Sequence, residues 1–204
     1  MARFGFIISS FFLLFACANT ETLEQKVPQP NEALPQIISL NPLLPEFKPL
    51  LNTFAPFELE VRDYRPANYI VSIADGDKVA VLIRNQQSIR SLVKKRLNQG
   101  LLEQGKVTLA RHDNQLVVDV VKLLTEIEQD PNQFTLTTQV QLHATLLVND
   151  QVQLTKQFKS QQVQTRINLT PEDLNQGLDL HLSNVLQQII RHTELYQPLV
   201  NKDK

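Results

Sequence analysis

The chain has 204 residues, a formal net charge of -1, 42% hydrophobic residues and 20% charged residues. That is an ordinary balance for one globular domain with appendages, and it lacks the basic field a nucleic-acid binder needs. A single cysteine excludes both an intramolecular disulfide and a cysteine-based zinc site.

Met1-Ala2-Arg3 is a short basic start, and FGFIISSFFLLF follows without a charge. Twelve helical residues rise only about 18 Å, short of a bilayer core of about 30 Å. With small Ala16 at its end, this stretch reads as a secretory signal peptide over residues 1–16.

Leu14-Phe15-Ala16-Cys17 resembles a bacterial lipobox, with Leu14, Ala16 and Cys17 matching and Phe15 larger than usual. The resemblance implies that Cys17 becomes the first mature residue and carries acyl chains on its sulfur and amine. Each buried CH2 adds about 0.8 kcal/mol, so several chains anchor firmly where one is marginal. Ala18 in place of Asp resembles an outer-membrane address, with the domain facing the periplasm.

Seven of the eleven prolines fall between Pro28 and Pro56. Proline fixes φ and removes a backbone donor, so residues 17–56 read as an extended, lipid-anchored tether. Its hydrophobic residues, Ile37, Ile38, Leu40, Leu43 and Leu44 among them, either pack on the domain or meet a partner.

The domain is expected over 57–204. Phe57, Leu59 and Val61 alternate with polar residues, the period of a half-buried strand. Tyr69–Ile73 and Val79–Ile83 flank Asp75-Gly76-Asp77 as a hairpin. Ile89, Leu92, Val93, Leu97 and Leu101 make one face of a helix over 85–104, capped by Gly105. Gly100 inside it costs about 1 kcal/mol relative to Ala.

Leu116–Ile127 is a strand whose apolar phase slips near Val120, the mark of a β-bulge. From Phe134 to Val148 the apolar residues take even positions, which indicates a long strand with one buried and one wet face. Val152, Leu154 and Phe158 continue beyond Asn149-Asp150, and a three-residue loop, Asn149–Gln151, keeps both apolar sets on one face. The last helix starts at Thr170 with Pro171, Glu172 and Asp173, and runs on a Leu/Val/Ile stripe to about Tyr196. The expected fold is α+β: an antiparallel sheet of three long meander strands plus short N-terminal strands, packed on two helices as a two-layer sandwich.

These stretches together resemble the YajG-like family of bacterial lipoproteins. The resemblance rests on Asp63-x-Arg65, SIRSLVKKRLNQGLLEQG, VQLHATLLVND and LNQGLDLHLSNVLQQII. It implies an envelope lipoprotein and no particular reaction. The domain plan is similar to small envelope adaptor domains that dock on larger machines.

No glycine-rich phosphate loop occurs, and His112, His143, His181 and His192 show no zinc-enzyme spacing, so neither cofactor nor metal is expected. No catalytic constellation stands out, and the expectation is a non-enzymatic adaptor or structural protein that binds another envelope component. The alternative is a module for a small or lipidic ligand held between sheet and helices. Candidate partner-binding residues are Gln139, Gln141, His143, Gln153 and Thr155 on the meander's polar face, with Asp63 and Arg65 at a strand end. A solvated sheet face, and a turn capped by Asp63 and braced by Arg65, are the bland readings of the same residues.

Overall fold

The computed structural model describes residues 34–51 and 53–200. Cys17, the signal peptide and residues 17–33 of the expected tether lie outside them. Eight strands and three helices follow in the order β1 (Ile37–Ile38), β2 (Phe57–Asp63), β3 (Tyr69–Ala74), β4 (Val81–Asn85), α1 (Ile89–Glu103), β5 (Thr108–Leu109), β6 (Gln115–Asp130), β7 (Gln133–Val148), β8 (Gln151–Arg166), α2 (Pro171–Arg191) and α3 (Thr193–Tyr196). The class is α+β, and all eight strands join one sheet.

That sheet is mixed, which corrects the antiparallel expectation. The three long strands do form an antiparallel meander, β6 on β7 and β7 on β8. The short strands differ: β2 and β3 both run parallel to β6. They share its free edge end to end, β2 along Gln115–Val120 and β3 along Thr125–Glu128. The reason is connectivity. Only Tyr64–Asn68 separate β2 from β3, too few residues for the crossover that a second parallel lane requires, so the chain continues in the same direction along the same strand.

The β6 slip is where periodicity places it: the register shifts between Val120 and Lys122, opposite the β2–β3 gap. The β7–β8 turn is a second correction. Val148 pairs with Gln151, so the turn has two residues, and Asn149 and Asp150 take φ of 50° and 62°. Such a turn matches the right-handed twist of the strands, and Asn and Asp tolerate the left-handed region. A register shift in β8 between Val152 and Leu154 then restores the apolar phase, so Leu154 faces Leu146 and Phe158 faces Leu142. A bulge performs the correction assigned above to a longer loop.

α1 is capped by Ser88 and ends at Gln104 with Gly105 at φ 80°. α2 starts with a complete capping box between Thr170 and Asp173, with Pro171 in its first turn. It ends at Arg191, short of the expected stop, because His192 leaves helical geometry (ψ 96°) and caps α3 through its ring.

The stripe of α2, Leu174, Leu178, Leu182, Val185, Leu186, Ile189 and Ile190, is buried with the even positions of β7 in one core. Each such side chain contributes about 1.5–3 kcal/mol. Part of the expected tether belongs to this body. Ile38, Leu40 and Phe47 are buried in the core, and β1 adds to the sheet beside β4. Proline spacing excludes long elements, but it leaves single side chains free to anchor an extended strap.

Candidate functional site

The meander's polar face lies opposite the core. Across β7 and β8, Thr145 faces Thr155 (3.1 Å between hydroxyls), His143 faces Gln157, Gln141 faces Lys159 and Gln139 faces Gln161. Gln141 donates its amide to the His143 ring at 3.0 Å. Gln153 stands apart, because it is the residue the β8 register skips, and its amide turns back to the Gln151 carbonyl. The face is therefore one patch of Gln139, Gln141, His143 and Thr155, with Gln153 at its margin.

Asp63 and Arg65 form a clamp at the seam. The Arg65 guanidinium donates to both Asp63 carboxylate oxygens (2.9 and 2.8 Å) and to the Tyr69 carbonyl (3.3 Å). It ties the end of β2 to the start of β3, and its side chain is only 7% exposed. Burial pushes the Asp63 carboxyl up, but the Arg65 hydrogen bonds and charge outweigh it and hold the group below the ordinary value. The clamp also meets the polar face. Arg65, Tyr69, Lys122, Leu124 and Gln141 line a shallow hollow of about 340 Å³ over the β6 bulge.

Two arrangements escape sequence reasoning. The first is at the end of α1. Lys106 N donates to the Leu101 carbonyl and Gly105 N to the Leu102 carbonyl, the paired bonds of a Schellman motif. That motif turns the second residue past the cap inward, a place usually taken by a hydrophobe. Here Lys106 occupies it and is 1% exposed. Its ammonium donates to Gln104 Oε1 and to the Ile190 carbonyl at the end of α2, and it lies 4.3 Å from the Tyr196 ring centroid and 5.3 Å from that of Phe54. Burial pulls its pKa down to about 8. Gly105 followed by an inward-turned position is the signal that points to it.

Lys106 floors a cleft of about 760 Å³. Glu46, Phe47, Lys48, Leu50 and Phe54 of the strap form one wall, held by Leu50 N on the Gln104 carbonyl and Ala55 N on the Leu199 carbonyl. The chain from Arg191 to Val200 forms the other. The space between sheet and helices, where the alternative reading puts a ligand, is instead filled by the core: Leu97, Leu142, Leu178 and Leu182 are wholly buried.

The second arrangement is Ser160–His181–Gln162. His181 of α2 accepts from the Ser160 hydroxyl at Nδ1 (2.6 Å) and donates from Nε2 to Gln162 Oε1 (2.9 Å). His181 is buried, which pulls its pKa down. The three docks α2 on β8. The oriented serine lies beneath a helix and lines none of the three clefts described for this chain. Among the described residues no His, Cys, Asp or Glu cluster has the makings of a metal site.

A family model described as an uncharacterized lipoprotein matches residues 48–199. The chain belongs to this bacterial lipoprotein family. The match begins at Lys48 in the strap and ends at Leu199 in the turn after α3, so it takes in most of both walls of the Lys106 cleft and leaves out Glu46, Phe47 and Val200. Among solved structures, the lipoprotein is similar to protein XCC0632 from Xanthomonas campestris, of family DUF330, at 12% identity and a TM-score of 0.57. That match covers 80% of this chain and 95% of the other, and it shows a shared fold. A minor lipoprotein from Acinetobacter baumannii matches at 10% identity and a TM-score of 0.41, over 65% of this chain and 97% of its own. Uncharacterized lipoprotein B from Nitrosomonas europaea matches at 13% identity and a TM-score of 0.37, over 74% and 92%. No curated protein matches the lipoprotein. Among the described residues no helix is long and apolar enough to cross a membrane.

Proposed function

We propose that this lipoprotein is a non-enzymatic adaptor, anchored through lipidated Cys17 in the outer membrane, that binds an extended segment of another envelope protein along β8 in the periplasm. The carrying observation is an asymmetry of sheet edges. On one side the sheet ends in the two-residue strands β1 and β5, short enough to offer little to a passing chain. On the other side it ends in the sixteen-residue β8, which pairs only with β7 among the described residues. In this reading the domain is a two-layer sandwich whose helices cover the inner face and leave the polar face and that edge to the partner.

The two halves of β8 differ. Its first half carries the bulge at Gln153 and Lys156 and Lys159, devices that discourage strand pairing. Its second half, Ser160–Arg166, is regular, and Val163 is 59% exposed there, with Ile167 beyond it at 73%. A partner strand laid on this half gains backbone hydrogen bonds along the edge and apolar contact at Val163. Gln161 and the neighbouring Gln139 present amides to the same visitor.

The test places a photo-crosslinking residue at 163 in living cells, with position 102 on α1 as control. The expected result is one reproducible adduct from 163 that the control lacks and that Gln161→Pro/Thr165→Pro, at positions whose N–H points away from β7, abolishes. Equal labelling from both positions, or none from 163, overturns the docking site. Cys17→Ser tests the anchor separately: the variant is expected to leave the membrane fraction, and its retention there removes the lipid tether.

A further inference from the structure

We propose that the cleft between the strap and the end of α2 binds an amphiphile with an anionic head, a carboxylate or a phosphate, whose apolar body lies along Phe47, Leu50 and Phe54. This site is independent of strand pairing at β8.

Three observations meet at this cleft. The first is a buried cation without a carboxylate. Lys106 contacts an amide oxygen, a backbone carbonyl and two aromatic rings, and none of the ion pairs among the described residues includes it. Buried charges are ordinarily paired, because an uncompensated one is costly in a low-dielectric site. An ammonium has three donors, and Gln104 and Ile190 take two. A ligand oxygen on the third supplies the missing counter-charge.

The second is the charge around the mouth. The Arg191 guanidinium lies 5.4 Å from the Phe47 ring centroid, donates to the Gln187 side-chain oxygen and adds a second cation at the mouth. Lys48 adds a third, against Glu46 and Glu194. Glu194 is already occupied, 3.3 Å from Lys156. The balance at the mouth therefore favours an anion.

The third is size and lining. About 760 Å³ falls in the range of small-ligand sites, and those sites combine apolar walls with a few placed polar groups. Leu50, 41% exposed on the strap, joins Phe47 and Phe54 in giving the cleft its apolar lining. The strap is joined to the body by backbone bonds at Leu50 and Ala55 and by a bridge between Phe54 and Val200, which hold the Phe54 ring beside Lys106.

Titration calorimetry of the full domain with its strap tests this, using inorganic phosphate and, each below its micellar concentration, dodecanoate, dodecyl phosphate and neutral dodecyl maltoside. Saturable one-to-one binding of either anionic amphiphile is expected, with the tighter of the two identifying the head group. Lys106→Gln is expected to weaken it at least tenfold. Should that variant fold poorly, Leu50→Asp puts a repelling charge on the exposed wall and is expected to give the same loss, while Leu102→Asp on the far face of α1 leaves binding unchanged. Equal binding of the maltoside, binding of inorganic phosphate as tight as that of dodecyl phosphate, or indifference to Leu50→Asp overturns the proposal.

Discussion

Gly100 of α1 and Ile190 of α2 touch backbone to side chain: a Cβ built on Gly100 falls 2.5 Å from Ile190 Cδ1 and 3.0 Å from Phe47 Cε2. The helices approach this closely because residue 100 has no side chain, and the strap seals the crossing through Phe47. Gly100 therefore lowers helix propensity in exchange for a helix–helix contact.

Gly100→Ala should destabilise the domain by about 1 kcal/mol, since overpacking of about 1–3 kcal/mol exceeds the helix gain of about 1 kcal/mol. Ile190→Val removes the clashing methyl. The double variant should then be more stable than the sum of the single changes predicts, as read by urea unfolding. Additive losses would show that the contact is not limiting.

Arg65→Met should cost about 1–3 kcal/mol, because it leaves the Tyr69 carbonyl without its side-chain donor and the half-buried Asp63 carboxylate with only the backbone N–H of residue 65. The sign in acid follows from Asp63, whose folded pKa is depressed. Its contribution is present above the ordinary value near 3.9 and is lost as pH falls through the folded value. Acid unfolding curves should show this loss in the wild type and a smaller one in Arg65→Met, where only the backbone N–H of residue 65 still opposes burial.

Lys106 has the opposite sense. Its folded pKa, down to about 8, lies below the ordinary value near 10.4, so between these the unfolded chain binds more protons and stability rises with pH. Relative to Lys106→Met, the wild type should gain up to about 1.4 kcal/mol per pH unit from pH 8 to 10. Using the difference cancels alkaline losses from buried Tyr196, whose pKa burial raises. A flat difference would mean that Gln104 and Ile190 keep the ammonium charged throughout.

Protonation of His181 should loosen α2 from β8. Burial lowers the folded pKa, so the unfolded chain takes up protons first and stability falls as pH drops below about 6.5. Hydrogen exchange of the α2 amides from pH 7.5 to 5.5 should show the change, and His181→Gln should flatten it. Unchanged exchange in the wild type would disconnect the histidine from helix docking.

Asp150→Gly should stabilise the β7–β8 turn by about 0.5–1 kcal/mol, because Asp150 sits at φ 62° and Gly adopts that conformation without a Cβ penalty. Thermal unfolding measures it, and a lower midpoint would mean that the loss of chain stiffness dominates.

The elements of this protein were legible because their signals are local. Even-numbered apolar residues from Phe134 to Leu146 define one face of β7, and Thr170-Pro171-Glu172-Asp173 announces α2 within four residues. The candidate site was legible only in part. Gln139, Gln141 and His143 share a face because strand geometry requires it, and Asp63 and Arg65 pair because they are two residues apart. Nothing local distinguishes Gln153 from its neighbours, since its displacement depends on the turn chosen two residues earlier.

Periodicity and capping, which act over a turn or a strand, are what the sequence by itself determined: the α+β class, the helix stripes and the β6 bulge, while the lipoprotein character followed from the resemblance of Leu14-Phe15-Ala16-Cys17 to a lipobox. Only the tertiary structure decided that β2 and β3 run parallel along one edge of β6, that Ile38, Leu40 and Phe47 of the strap enter the core, and that Lys106 lies buried beneath Phe54 and Tyr196. Those outcomes turn on partners such as Ile190, 84 residues away from Lys106 in the chain. The free energy of burying a charge or pairing an edge belongs to the contact, and the contact exists only once the chain has folded.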